Sequence, residues 1–191
     1  MTFEELCRSA RDLTREEYLA TYPAPALLVY EEDEAGSSAD DTIRFKAGGK
    51  KKAHESDWLS KTYEEMSIPK EGATGPSLVA WVRKRRGSNN PFENVVSIGR
   101  MKHNDVVINS SVISKVHAVV LLDPPASDGT RKYHLRDQNS TNGTLVDGDP
   151  VPGGSQRTLE DATSIWLGSL RVQFILPETL FRALRNPTLL G

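Results

Sequence analysis

Three short stretches gather polar side chains that hydrophobic patterning does not explain. The first is Gly99-Arg100, directly after an apolar run. The second is Ser114-Lys115-Val116-His117, directly before one. The third is Asp137-Gln138-Asn139-Ser140-Thr141-Asn142-Gly143-Thr144, between two apolar runs. Ser114 and His117 are the types of a nucleophile and a base. Their spacing is local, no carboxylate is placed to orient the imidazole, and no Gly-x-Ser-x-Gly elbow surrounds the serine. A hydrolase is not expected. Asp137-x-Asn139-x-Thr141 opens like a calcium loop. Its glycine falls at Gly143, one place late, and Gly148 stands where the bidentate Glu belongs. The four histidines, His54, His103, His117 and His134, lack the spacing of a zinc site. No metal, cofactor or catalytic residue is expected.

The elements around these stretches read as short strands joined by tight turns. Strand candidates run over residues 78–83, 95–98, 105–109, 117–122, 132–136 and 171–176. In the last of these Val172, Phe174 and Leu176 alternate with Arg171 and Gln173, the period of a half-buried strand. Asp147-Gly148 and Gly168-Ser169 are hairpin signals. Many short strands at such spacing predict a mainly β chain, an antiparallel β-sandwich. In that architecture chemistry sits on the loops at one end.

The N-terminal part has a different texture. Thr2 stands three residues before Glu5 and Thr14 three before Glu17, so two capping boxes predict two helices. Phe3, Leu6, Cys7, Ala10 and Leu13 form an apolar stripe, on which Cys7 reads as a small buried packing residue. Tyr22-Pro23-Ala24-Pro25 stops the second helix. Strand candidates follow at residues 27–30 and 42–45, separated by the acidic stretch 31–41. A lysine-rich loop follows at 47–55, and Trp58, Leu59, Tyr63 and Met66 make one more helical face. A short terminal helix is predicted over 179–185. The expected organisation is an acidic, partly helical extension of unknown role over 1–75, a sandwich domain over 76–177, and a short helical tail over 178–191.

Charge divides at the same place. Residues 1–75 carry 10 Lys/Arg and 16 Asp/Glu, net -6, and residues 76–191 carry 14 and 10, net +4. The whole chain is near neutral at -2, so no overall basic field invites nucleic acid. A single Cys excludes an internal disulfide framework, and no apolar run reaches the length of a membrane span. The expectation is a reduced, cytoplasmic protein with no nucleic-acid or membrane partner. The run Arg83-Lys84-Arg85-Arg86 reads as a solvated strand end, with a docking patch for acidic partners as the weaker alternative. Trp58, Trp81 and Trp166 sit in apolar segments and read as core.

Taken in order, Ile98-Gly99-Arg100, Asn104-Asp105, Ser114-Lys115-Val116-His117 and Ser140-Thr141-Asn142-Gly143-Thr144 resemble the forkhead-associated (FHA) domain, a phosphothreonine-peptide binding module. The resemblance covers roughly residues 76–177 and includes the late stretch 159–168. There Ala162-Thr163 stands where the family commonly has Gly-Asp, which affects only a turn. It implies an FHA/SMAD-like sandwich in which Arg100, Ser114, Lys115 and Thr141 contact the phosphate and Asn142 the peptide backbone. Gly99 and Gly143 would serve backbone geometry, and His117 would hold the loops. The residue types suit the task. A phosphothreonine brings a charge near -1.5 to -2 and three acceptor oxygens. Arg100 offers a planar donor fork, Ser114 a hydroxyl, and Lys115 a cation or a backbone amide.

Val112, two before the Ser of Ser-x-x-His, holds the position that in the family often reads the third residue after the phosphothreonine. An apolar residue is expected there, not Asp. The function implied is a phosphothreonine-dependent adaptor, with a phosphorylated protein and a Ser/Thr protein kinase as partner classes and no enzymatic activity. The alternative is an FHA-like scaffold that binds an unphosphorylated protein through its sheet faces or N-terminal extension. The acidic Asp40-Asp41-Thr42 is a candidate for self-binding after phosphorylation. Oligomeric state is left open by the sequence.

Overall fold

The computed structural model describes residues 1–30 and 75–186. The expected strand at 42–45, the loops at 31–41 and 47–55, the helical face around Trp58, and Thr42 all lie outside the described residues.

Two helices open the chain, α1 (Phe3–Ala10) and α2 (Arg15–Thr21), and both capping boxes form. In each, the Thr side chain accepts from the amide of the third helical residue, Glu5 or Glu17, while that Glu carboxylate accepts from the cap backbone amide. Such a cap stabilises a helix by about 1 kcal/mol. Strand β1 (Ala26–Tyr30) follows. The sandwich strands are then β2 (Leu78–Trp81), β3 (Val95–Gly99), β4 (Val106–Val107), β5 (Ala118–Leu122), β6 (Tyr133–Asp137) and β7 (Thr144–Val146). They continue with β8 (Asp149–Pro150), β9 (Gln156–Leu159), β10 (Ser164–Leu167) and β11 (Leu170–Ile175), and α3 (Pro177–Ala183) ends the described chain. Among the described residues no helix is long and apolar enough to cross a membrane.

The strands form two sheets. One has the order β2-β1-β11-β10-β7-β8 and the other β4-β3-β5-β6-β9. All pairings are antiparallel except β3 with β4. Inward-facing residues of both sheets, among them Leu27, Ile98, Val120, Leu135, Ile165 and Phe174, make one apolar core. Leu28, Ile175, Val79 and Tyr30 face the other way. They pack with Leu6, Ala10, Tyr18 and Leu180 into a second core beneath the helices. The predicted half-buried period of the last strand therefore fails. Gln173 and Ile175 are buried along with Val172 and Phe174, because α1, α2 and α3 cover the outer face. The termini are tied by a bidentate pair from Arg15 to Glu178 and by Tyr18 packing on Phe181.

Four other readings need correction. Residues 82–83 and most of 105–109 are not strand, and β9 has no counterpart among the predicted strands. Cys7 is half-buried, not fully packed. Trp81 stacks on Tyr22 in the outer core and stays half-exposed. The basic run is not simply solvated. Lys84 Nζ lies 3.0 Å from the buried Asp105 carboxylate, and the Arg85 guanidinium donates to the Asn104 and Lys102 carbonyls. A partner some twenty residues away, Asp105, recruits it.

Candidate functional site

Strand β3 ends at Gly99, where a Cβ would stand 2.4 Å from the Lys115 carbonyl oxygen and 2.7 Å from Asn104 Nδ2. The requirement for glycine here is close approach. Of the two motif glycines only Gly143, at φ 75°, uses the left-handed region that glycine enters readily. The Lys115 carbonyl accepts from Asn104 Nδ2 (2.7 Å) and the Met101 amide (3.4 Å), while the Arg100 amide donates to the Ser114 carbonyl (3.1 Å). These bonds lash the turn after β3 to the loop before β5. The Arg100 and Lys115 side chains remain exposed, with no hydrogen bond or ion pair to a described residue.

Asp105 anchors that turn from below. Burial alone would push its carboxyl pKa up. Hydrogen bonds from Ser88, Ser97, Arg85 and Asn90 outweigh this and hold it well below the ordinary carboxylate range. An ionised, multiply bonded carboxylate is what Lys84 and the Ser97 amide require as acceptor.

At the next loop, Ser114 Oγ accepts from the Thr141 amide (3.0 Å) and donates to Thr141 Oγ1 (3.3 Å). Two separate loops thus present two hydroxyls side by side. His117 is fully buried beneath them. Its Nε2 lies 3.0 Å from the Gly143 carbonyl, which can only accept, so Nε2 carries the proton. Nδ1 then accepts from the Ser114 amide at 3.1 Å. Burial pulls the imidazole pKa down, against the opposing effects of Gly143 and Asp137. With both ring nitrogens committed to backbone, His117 is not a base for the Ser114 hydroxyl. It is a buried strut between two loops.

The third loop is shaped by a residue whose role the sequence reading passed over. The buried Asp137 carboxylate accepts from the Ser140 amide, the Ser140 hydroxyl and the Thr144 hydroxyl. An Asp three residues before a Ser is the signal for such a turn, and it was legible. Asn142 Nδ2 donates to the Val112 carbonyl (2.9 Å), which leaves its carboxamide oxygen without a partner among the described residues. Val112 and Asn142 both close against Gly168, at the β10–β11 turn, where a Cβ would meet the Val112 carbonyl at 2.9 Å.

All the residues singled out from the sequence lie at this one end of the sandwich. Arg100, Ser114, Lys115, Thr141, Asn142 and Val112 form the surface, and Gly99, His117 and Gly143 lie in its support. Chemically the surface offers two cations without a partner among the described residues and two hydroxyls, joined by an exposed carboxamide and an apolar flank. That is a donor-rich surface, chemically suited to an oxyanion.

The FHA domain family model matches residues 96–168. No curated protein sequence matches the chain. Among solved structures, the MEK1 FHA domain in complex with a HOP1 phosphothreonine peptide aligns at TM-score 0.39 and 24% identity, over 47% of this chain and 82% of that one. The FHA domain of CT664 from Chlamydia trachomatis aligns at 0.37 and 21%, over 48% and 92%. Full-length yeast Pml1p aligns at 0.47 and 14%, over 85% and 93%. The match spans Ile98-Gly99-Arg100 through Gly168, every loop of the site included, and residues 96–168 of this chain are an FHA domain.

Proposed function

We propose that this chain is a non-catalytic, phosphothreonine-dependent adaptor whose ligand is made by a Ser/Thr protein kinase. Arg100, Ser114, Lys115 and Thr141 would hold the phosphate, Asn142 the peptide backbone, and Val112 the third residue after the phosphothreonine. The observation that carries the reading is the pairing of two exposed cations, Arg100 and Lys115, whose side chains have no partner among the described residues, with the coupled hydroxyls of Ser114 and Thr141. Three phosphate oxygens need that many donors, and Arg-based sites are a recurrent solution for phosphorylated motifs. The reading in which an unphosphorylated partner docks on a sheet face has less support. The outer face around β1 and β11 is already filled by α1, α2 and α3.

A phosphothreonine peptide array, with phosphoserine and unphosphorylated copies of each spot, tests the proposal. Expected is binding to phosphothreonine spots with apolar residues favoured at +3. Equal binding to unphosphorylated spots would overturn the adaptor reading, and clear selection of Asp at +3 would overturn the role of Val112.

A further inference from the structure

The basic run Arg83-Lys84-Arg85-Arg86 is not used by the phosphate site, yet the structure brings it to that site's rim. Its link is Arg85, whose backbone amide donates to Asp105 Oδ1 and whose guanidinium donates to the Asn104 and Lys102 carbonyls. Those carbonyls belong to the turn that begins at Arg100 and is itself bonded to Lys115 through Asn104. The exposed cations Arg85, Lys102, Arg100 and Lys115 thus lie on segments bonded to one another, with exposed Arg86 next to Arg85 in the chain, on the side of the site where β4 edges its sheet. Among the described residues the carboxylates of this region do not neutralise it. Asp105 is buried and engaged by Lys84, and Glu93 is the one exposed acid of the β2–β3 connection.

The opposite flank is different in kind. Val112, Asn142 and Gly168 lie over the other sheet, at the β10–β11 turn and the start of β7, and carry no charge. Ser114 and Thr141 sit between the two flanks. A peptide with its phosphate at Ser114 and Thr141 and its third following residue on Val112 would lead its preceding residues toward the basic flank.

We propose that the Lys102, Arg85 and Arg86 flank selects acidic residues on the N-terminal side of the phosphothreonine. This inference rests on the phosphothreonine reading and gives the ligand a polarity, acidic before the phosphate and apolar after it. Each exposed pair contributes about two- to fivefold in affinity. Several together should give about tenfold, screened away at high salt.

The test compares three synthetic phosphothreonine peptides, all with Leu at +3, on the intact chain. One has Gln at the four preceding positions, one has Glu there, and one has Glu only after +3. The second should bind about tenfold tighter than the first at low salt, and the third no tighter than the first. The double variant Arg86→Gln/Lys102→Gln, which removes side chains with no bond to a described residue, should lower the second affinity most and leave the first within about twofold. If the Gln peptide binds and the Glu residues add nothing, or add equally on either side, the inference falls while the adaptor reading stands. If none of the three binds, the phosphothreonine reading itself fails and takes this one with it.

Discussion

A Cβ on Gly99 would stand 2.4 Å from the carbonyl oxygen of Lys115, the same oxygen that accepts from Asn104 Nδ2. The end of β3 and the loop before β5 are in backbone contact, and this contact places Arg100 beside Ser114. Gly99→Ala should therefore push Lys115 away and break the Asn104 bond. Overpacking against backbone, which cannot rotate aside, is expected to cost about 1–3 kcal/mol of stability, read by urea denaturation. Phosphopeptide affinity should fall more than tenfold at temperatures where the variant remains folded. Unchanged affinity would mean the two loops can separate without harm to the site.

His117 gives a pH dependence with a defined sign. Its folded pKa is lowered, chiefly by burial, while the unfolded chain carries an imidazole near 6.5. Below that pH the unfolded state binds the extra proton first, so His117's contribution is complete above about 6.5 and declines as pH falls toward the lower folded pKa. Protonation at Nδ1 would also cost the Ser114 amide its acceptor. Thermal unfolding followed from pH 7.5 down to 5 should show this decline, and the gap between wild type and His117→Gln should narrow over the same range. A gap that widens on acidification would reverse the assignment.

Lys84 is the cation of a pair whose carboxylate, on Asp105, is fully buried. Breaking a buried pair from one side leaves an uncompensated charge. Because Asp105 keeps its bonds from Ser88, Ser97, Arg85 and Asn90, the loss in Lys84→Met should be about 2 kcal/mol, below the usual range for buried pairs. A denaturation midpoint unchanged from wild type would show the lysine to be dispensable.

Ala162 occupies the left-handed region at φ 63°, in the turn before β10 where the family resemblance points to Gly. A side chain there costs about 1–2 kcal/mol. Ala162→Gly should relieve it, less the added freedom of the unfolded chain, for a net gain of about 0.5–1 kcal/mol. The turn lies away from the Ser114–Thr141 pair in the chain, so ligand affinity should not change. A destabilised variant would show that the Ala162 methyl contributes to packing.

What was legible in the sequence was local. The capping boxes at Thr2 and Thr14 and the hairpin turns at Asp147-Gly148 and Gly168-Ser169 need only neighbours within a few residues, and each forms. The site loops were legible for the same reason, as short strings between strands. What depended on distant partners was not. Strand β9 has three exposed residues of four and becomes a strand by pairing with β6. Ile175 and Gln173 are buried by helices more than 150 positions earlier in the chain, together with α3. Lys84 and Arg85 looked solvated because Asp105, which holds them, is remote in sequence. Gly99 was expected to matter for its dihedrals, but the reason is the Lys115 carbonyl, a contact no local pattern reveals.

The most direct test of the central claim is calorimetric titration of the intact chain and Arg100→Ala with a degenerate phosphothreonine peptide pool and its unphosphorylated counterpart. The Arg100 side chain has no bond to a described residue, so the variant, which keeps the backbone bond to Ser114, should fold as wild type does. The account predicts binding to the phosphorylated pool alone, weakened in Arg100→Ala by at least about 2 kcal/mol, more than tenfold. Equal affinity for both pools, or an Arg100→Ala variant that binds the phosphorylated pool as tightly as wild type, would contradict it.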